Sequence, residues 1–319
     1  MGSDDRGWEP RKVLVGYDGS DGSKDAVALA RVLCAGTRAS VLLVNVLPAG
    51  TLPVAYRLLG YEEAPAWRGF FRGAEEELGG IEADHRTYIG GSPAEVLNDL
   101  AETEDVDLVV VGSPHRGAVG RAVLGSVAEA LLHGASVAVV AAPRGYSARP
   151  HDGFARILAG YDGGGEAGEA LRRAAALAGH TGRELHVLTV ATLPSAVPGA
   201  FGGTIPASLP DATEVVTKGV ELLGADVETR GEALHGDPAH ELAAWCNPDD
   251  LLVVGSRSYG PLARTLLGSV SSTLIRTAPA RSWSSPVLAT TAASAPPPRP
   301  SPSRLAGRRV LVARRGGES

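Results

Sequence analysis

Two short stretches hold the residues best suited to grip an anion. Residues 109–127 read VVVGSPHRGAVGRAVLGSV and residues 252–270 read LVVGSRSYGPLARTLLGSV, identical at 10 of 19 positions and 143 residues apart. Each begins as a β-branched run, stops at a glycine (Gly112, Gly255) and restarts at Gly-Ser (Gly125–Ser126, Gly268–Ser269). A glycine at a strand end lets the backbone pass close to a ligand. Gly-Ser at a helix start presents unpaired N–H groups at the positive end of the helix dipole, a surface that suits phosphate oxygens. The Ser126 hydroxyl could add a hydrogen bond, and His115, Arg116 and Arg121 could add positive charge in the connecting loop. Ser126 and Glu129 also read as a capping box that needs no ligand. The second copy has Ser272 where that glutamate would stand and still keeps Gly268–Ser269, which favours phosphate contact.

Such turns work only where regular elements bring them to one place. KVLVGYD (12–18) reads as a strand ending in turn residues, DAVALARVLC (25–34) has helical spacing, and SVLLVNVL (40–47) is a buried strand. A helix around AEEELGG follows, then EADHRTYIG (82–90), a strand polar enough for a sheet edge. GSPAEVLNDLA (91–101) opens a helix with Ser92 as N-cap, Pro93 in the first turn and Glu95 completing a capping box. DLVVVG (107–112), SVAEALLHG (126–134) and SVAVVAAP (136–143) complete a strand–helix–strand unit. This alternation predicts a parallel sheet covered on both faces, the doubly wound α/β class. With strand order 3-2-1-4-5, the ends of the first and fourth strands flank the crevice where ligands bind in such sheets, so Asp18 faces Gly112.

The order then repeats as RILAGYD (156–162), EALRRAAALAG, ELHVLTV (184–190), GDPAHELAAWC (236–246), DLLVVG (250–255) and SVSSTLIRTA (269–278). Asp18 to Asp162 spans 144 residues, Gly91 to Gly236 spans 145 and Gly112 to Gly255 spans 143, so a whole domain is duplicated. The expected boundaries are 1–146 and 154–291, with RGYSARPHDG (144–153) as linker and PVLAT (286–290) as the last strand. Residues 292–319 form a Pro-rich, basic tail: ASAPPPRPSPSR does not favour packing, while GRRVLVARRGGES could be disordered, a docked strand or a partner-binding arm. Composition favours disorder.

A net charge of -6 and a pI near 5.8 argue against a nucleic-acid or anionic-membrane partner, since either needs a basic excess. No apolar run approaches the roughly 18 residues of a membrane span, and MGSDDRGWEPRK lacks the apolar core of a signal peptide. The chain therefore reads as cytoplasmic. Cys34 and Cys246 lie in helical patterns of different copies and read as inert thiols.

The spacing G-x2-G-x9-G-[ST] after a fourth strand, with an aspartate ending the first, resembles the universal stress protein family in its ATP-binding, tandem-domain form. The resemblance covers residues 10–143 and 154–290 and implies two Rossmann-like (flavodoxin-like) domains, each with a five-stranded parallel sheet, forming an internal pseudo-dimer with a homodimer possible. It further implies that Asp18 and the backbone of Val46 hold a nucleoside, with Gly112, Gly125, Ser126 and Val127 around ribose and phosphates. Asp162, Val190, Gly255, Gly268, Ser269 and Val270 correspond in the second copy. ATP is the implied ligand, with Mg²⁺ arriving on its phosphates. His115 and Ser258 stand where the motif has its middle glycine; a side chain there either narrows the phosphate loop or points outward, with the next glycines, Gly117 and Gly260, absorbing the turn.

Nothing in the pattern supplies a catalytic engine. The loop GYDGSDGSKD lacks G-x-x-x-x-G-K-[ST] spacing, neither first turn gives G-x-G-x-x-G, and DGSDGS and DGGGEA are not the S-G-G-x-D-S loop of an ATP pyrophosphatase. Asp18 and Asp162 are single carboxylates that could simply cap a turn, and the eight histidines show no H-E-x-x-H spacing. The expected role is a nucleotide-dependent stress-response module with at most slow incidental ATP hydrolysis. The alternative is a nucleotide-independent scaffold of the same fold.

Overall fold

The computed structural model describes residues 9–48, 69–113, 126–149, 153–192, 211–224, 227–255, 257–258, 265–266, 270, 273–274, 287–290 and 309–312. These fall into two compact units. One is built on Glu9–Gly153, joined by Ser258–Leu266 and the C-terminal stretch; the other is built on Phe154–Arg257 with Leu267–Ala292.

The first unit runs β1 (Lys12–Gly16), α1 (Asp21–Cys34), β2 (Ser40–Leu47), α2 (Arg72–Leu78), β3 (Ala83–Ile89), α3 (Pro93–Thr103), β4 (Leu108–Gly112), α4 (Ser126–Gly134) and β5 (Ala138–Ala142). Its parallel strands lie in the order β3-β2-β1-β4-β5, as expected. Val13, Leu14 and Val15 of β1 and Leu108, Val109 and Val110 of β4 are fully buried, because a central parallel strand has helices over both faces. The Ser20 hydroxyl accepts from the Ser23 N–H at the start of α1, and Asp21 complements the helix dipole there. The predicted capping box starts α3, where the Ser92 N–H donates to Glu95 Oε2 at 3.4 Å.

The second unit repeats the plan as β6 (Ile157–Gly160), α5 (Gly165–Thr181), β7 (Leu185–Ala191), α6 (Ala212–Glu221), β8 (Thr229–His235), α7 (Pro238–Trp245), β9 (Leu251–Gly255) and β12 (Val287–Thr290). Its parallel order β8-β7-β6-β9-β12 is again 3-2-1-4-5. Asp237 caps α7 by accepting from the His240 N–H at 2.9 Å. A short ladder of β10 (Arg257–Ser258) with β11 (Thr265–Leu266) had no counterpart in the sequence, and β13 (Arg309–Val312) matches the docked strand, one of the three readings of the tail. Composition favoured disorder for the tail, whereas β13 pairs antiparallel with β3.

Duplicated aspartates tie the lower ends of the strands together. Asp107 accepts from the Arg11 and Lys12 N–H groups at 2.9 and 3.0 Å, fixing the start of β1 beside that of β4. Asp250, fully buried, takes the Arg156 guanidinium instead, at 3.1 and 2.6 Å, and Arg156 also lies over the Trp245 ring at 5.1 Å.

The segment expected to be a linker is partly anchored. Asp25 on α1 is fully buried and accepts from the Gly145 N–H (2.8 Å), the Ser147 N–H (2.9 Å) and the Ser147 hydroxyl (2.6 Å). Each hydrogen bond to a charged group contributes about 1.5–3 kcal/mol, part of which the turn N–H groups regain from water. Asp25→Ala is therefore expected to cost about 2–4 kcal/mol and to lower the midpoint of thermal unfolding by about 5–10 °C. Ser147→Ala keeps both backbone bonds and should cost about 1 kcal/mol. Circular dichroism melts of the two variants check the ranking.

Candidate functional site

In the first unit the carboxyl ends of β1 and β4 enclose an open cavity of about 300 Å³. Five of the residues singled out from the sequence line it: Asp18, Val46, Gly112, Ser126 and Val127. His115 and Gly125 lie outside the described residues. The strand order explains the convergence. The β1–β4 register pairs Val15 with Val110, so Asp18 and Gly112 follow neighbouring strand ends, and β2 on the other flank of β1 brings Val46 alongside.

The apolar wall comes from Val44, Val111, Pro93 and Leu97, and Leu97 reaches the strand end itself: a Cβ on Gly16 would stand 3.2 Å from its Cδ1. The first turn of α4, Ser126 to Ala128, also lines the cavity, and its leading N–H groups have no partner within the helix. These amides and the helix dipole favour an anion at this end of the helix, while Arg116 and Arg121 lie outside the described residues.

Asp18 sits at the mouth as half of an Asx turn, its Oδ1 accepting from the Ser20 N–H at 3.0 Å. Burial disfavours its charged form, but hydrogen bonds from Ser20 and Ser23 outweigh that and hold the carboxyl below the usual aspartate range. The carboxylate is thus an acceptor with capacity left for a hydroxyl donor.

Gly112 has a job that spacing alone did not reveal. A Cβ there would lie 1.8 Å from the Gly22 carbonyl oxygen, so β4 ends in backbone contact with the first turn of α1. The glycine admits another piece of the protein as well as lining the cavity. Ser113 then hooks the chain to the next strand, with both its N–H (3.1 Å) and its hydroxyl (2.9 Å) donating to the Ala142 carbonyl.

Sequence reasoning missed Tyr17, Ser20, Ser23 and Ser113 as lining residues. Ser20 could have been found, since a serine three residues before another at a helix start is an N-cap signal. Tyr17 could not, because its ring is placed by edge contact with Phe70 at 5.4 Å and a tilted contact with Phe71 at 5.7 Å, some fifty residues on.

In the second unit Asp162, Val190 and Gly255 lie at the ends of the neighbouring strands β6, β7 and β9. Asp162 repeats the Asx turn, accepting from the Gly164 N–H at 2.9 Å. Gly255 repeats the close approach more loosely, with a Cβ 3.0 Å from the Ala167 nitrogen. Leu242 meets Gly160 as Leu97 meets Gly16. Val270 is helical and half-buried; Gly268 and Ser269 lie outside the described residues.

Both cysteines are held in the thiol form. Burial pushes the thiols of Cys34 and Cys246 up to about 12, with Asp250 adding to the effect at Cys246. Among the described residues no group of His, Cys, Asp and Glu has the arrangement of a metal site, and no helix is long and apolar enough to cross a membrane.

Comparison with known proteins agrees with this architecture. A family model described as the universal stress protein family matches residues 9–143 and again 153–281. A universal stress protein of Mycolicibacterium smegmatis is 30% identical over 293 residues, covering 83% of this chain and 94% of the relative. One from Mycobacterium tuberculosis is 29% identical over 210 residues, covering 63% of this chain and 71% of the relative. The crystal structure of a universal stress protein from Archaeoglobus fulgidus superposes with a TM-score of 0.65 at 20% identity, covering 88% of this chain and 98% of that one, a likeness of fold.

Proposed function

Since the chain belongs to the universal stress protein family, with two copies of the domain in tandem, we propose that it binds ATP at the ends of β1 and β4, and at the corresponding ends of β6 and β9 if the second copy is competent. It acts as a cytoplasmic, nucleotide-dependent regulatory module and not as an enzyme. The observation that carries this reading is the meeting of Asp18, Val46, Gly112, Ser126 and Val127 around one cavity. The Asp18 carboxylate accepts from the ribose hydroxyls, and the Val46 backbone and the apolar wall receive the base. The amides at the start of α4, with the Ser126 hydroxyl, hold the phosphates. Mg²⁺ accompanies the triphosphate and neutralises part of its charge.

The depressed Asp18 titration fixes a pH dependence. A carboxylate whose pKa lies below its ordinary value of about 3.9 stays charged above that range and is lost as an acceptor only when the pH falls through the depressed value. ATP affinity is therefore expected to be flat between pH 7 and 9 so far as Asp18 governs it. Asp18→Asn should weaken binding about tenfold or more at pH 7, because a charge-assisted bond becomes a neutral one. Calorimetric titrations at three pH values check both.

A second reading, a scaffold of the same fold that works without nucleotide, draws on two observations. Gly112 is required by Gly22, and Asp18 already caps its own turn. Thermal unfolding with increasing Mg-ATP separates the two readings. A ligand at a hundred times its dissociation constant stabilises the folded state by about 2.7 kcal/mol, a rise of several degrees in the midpoint. An unmoved midpoint at millimolar Mg-ATP favours the scaffold.

A further inference from the structure

The first unit carries one strand more than its five-stranded parallel plan requires, and it lies on a particular half of an edge. The Val41 N–H donates to the Glu82 carbonyl and the Gly90 N–H to the Leu47 carbonyl, each at 2.8 Å. Backbone groups alternate sides along a strand, so the even-numbered residues of β3 bond to β2 and the odd-numbered ones face outward. Thr87 and Ile89 therefore turn their N–H and C=O groups to β13, whose register sets Leu311 opposite Thr87 and Arg309 opposite Ile89.

The covered stretch is the part of the edge that cannot protect itself. Asp84 is exposed and charged, and Arg86 is held by Glu104 at 2.6 Å, whereas Thr87, Tyr88 and Ile89 form an uncharged run of good strand formers. Open edges of that composition pair with other chains unless covered, and charged edges resist it. The contrast within the molecule is β8, the outermost strand of the second unit, which displays Arg230, Glu232 and His235 and has no further strand beside it among the described residues.

Charge gives the pairing a direction. The antiparallel sense runs β13 toward the end of β3 where Glu82 and Asp84 are exposed, and the next residues in sequence are Ala313, Arg314 and Arg315.

We propose that the outer edge of β3 at Arg86–Ile89 is a strand-accepting site, filled in cis by the chain's own Arg309–Val312 and specific for a short apolar strand followed by arginines. The segment is an exchangeable plug: while it is seated the edge is closed, and when it leaves the edge takes the same sequence from another molecule.

Two substitutions in the full-length chain test this. Leu311→Pro removes an N–H that faces β3, whereas Val310→Pro removes one that faces away, a position where an edge strand tolerates proline. Hydrogen exchange read at the Thr87 and Ile89 amides is expected to speed up at least tenfold in Leu311→Pro and to stay near wild type in Val310→Pro. A synthetic peptide of residues 305–316, LAGRRVLVARRG, should bind the Leu311→Pro chain, restore slow exchange there and leave the wild type unaltered. Equal exchange in wild type and Leu311→Pro, or a peptide that binds both equally or neither, would overturn the proposal.

Discussion

Gly112→Ala is expected to destabilise the first unit strongly, by about 3 kcal/mol or more. The added methyl carbon would be placed 1.8 Å from the Gly22 carbonyl oxygen and 2.3 Å from its carbon, so the clash is with backbone and no side chain can turn aside to relieve it. Either α1 moves off the sheet or β4 slides, and both are buried along most of their length. Overpacking a core costs about 1–3 kcal/mol, and a backbone clash belongs at or above the top of that range. Against a domain stability of about 5–15 kcal/mol that is a large fraction. Gly255→Ala serves as the internal control: its nearest contact is 3.0 Å, which a shift of a few tenths of an ångström relieves, so about 1 kcal/mol is expected. Urea unfolding should show an early transition for the first variant and a nearly normal profile for the second. Were Gly112 conserving space for a ligand alone, its alanine variant would be as stable as the wild type.

The complementary variant is Gly125→Val, which should abolish nucleotide binding and spare the fold. The position immediately precedes Ser126, the first residue of α4, whose amides are proposed to hold the phosphates. A branched side chain at that junction stands in the path of the phosphates. Loss of their contacts is expected to weaken Mg-ATP at least a hundredfold, about 3 kcal/mol. The midpoint without nucleotide should remain within a few degrees of wild type, because the helix itself runs from Ser126 onward. Together the two glycines separate a positional requirement of the protein from one of its ligand.

Much of the architecture was legible because it is written in local pattern. Strands such as Val13–Val15 and Leu108–Val110 are apolar runs because both their faces are covered, and the constant offset between copies gave the duplication directly. The crevice followed from strand order, which put Asp18 and Gly112 on adjacent strand ends before any contact was known. What stayed hidden depends on partners far away in sequence. The clash that fixes Gly112 involves Gly22, ninety residues upstream, and Asp25 pins a linker turn some 120 residues later. Residues 309–312 were misjudged because a run of four apolar or basic residues carries little signal by itself, and the open edge of β3 that completes it lies more than 200 positions earlier.

Equilibrium dialysis of the full-length protein against labelled Mg-ATP, with Gly125→Val alongside, bears most directly on whether the cavity beside Asp18 and Ser126 holds nucleotide. Saturable uptake of one or two equivalents by the wild type, with at least the equivalent of the first unit lost in the variant, is expected. No uptake by folded wild-type protein at millimolar Mg-ATP, or identical uptake by both proteins, would contradict it.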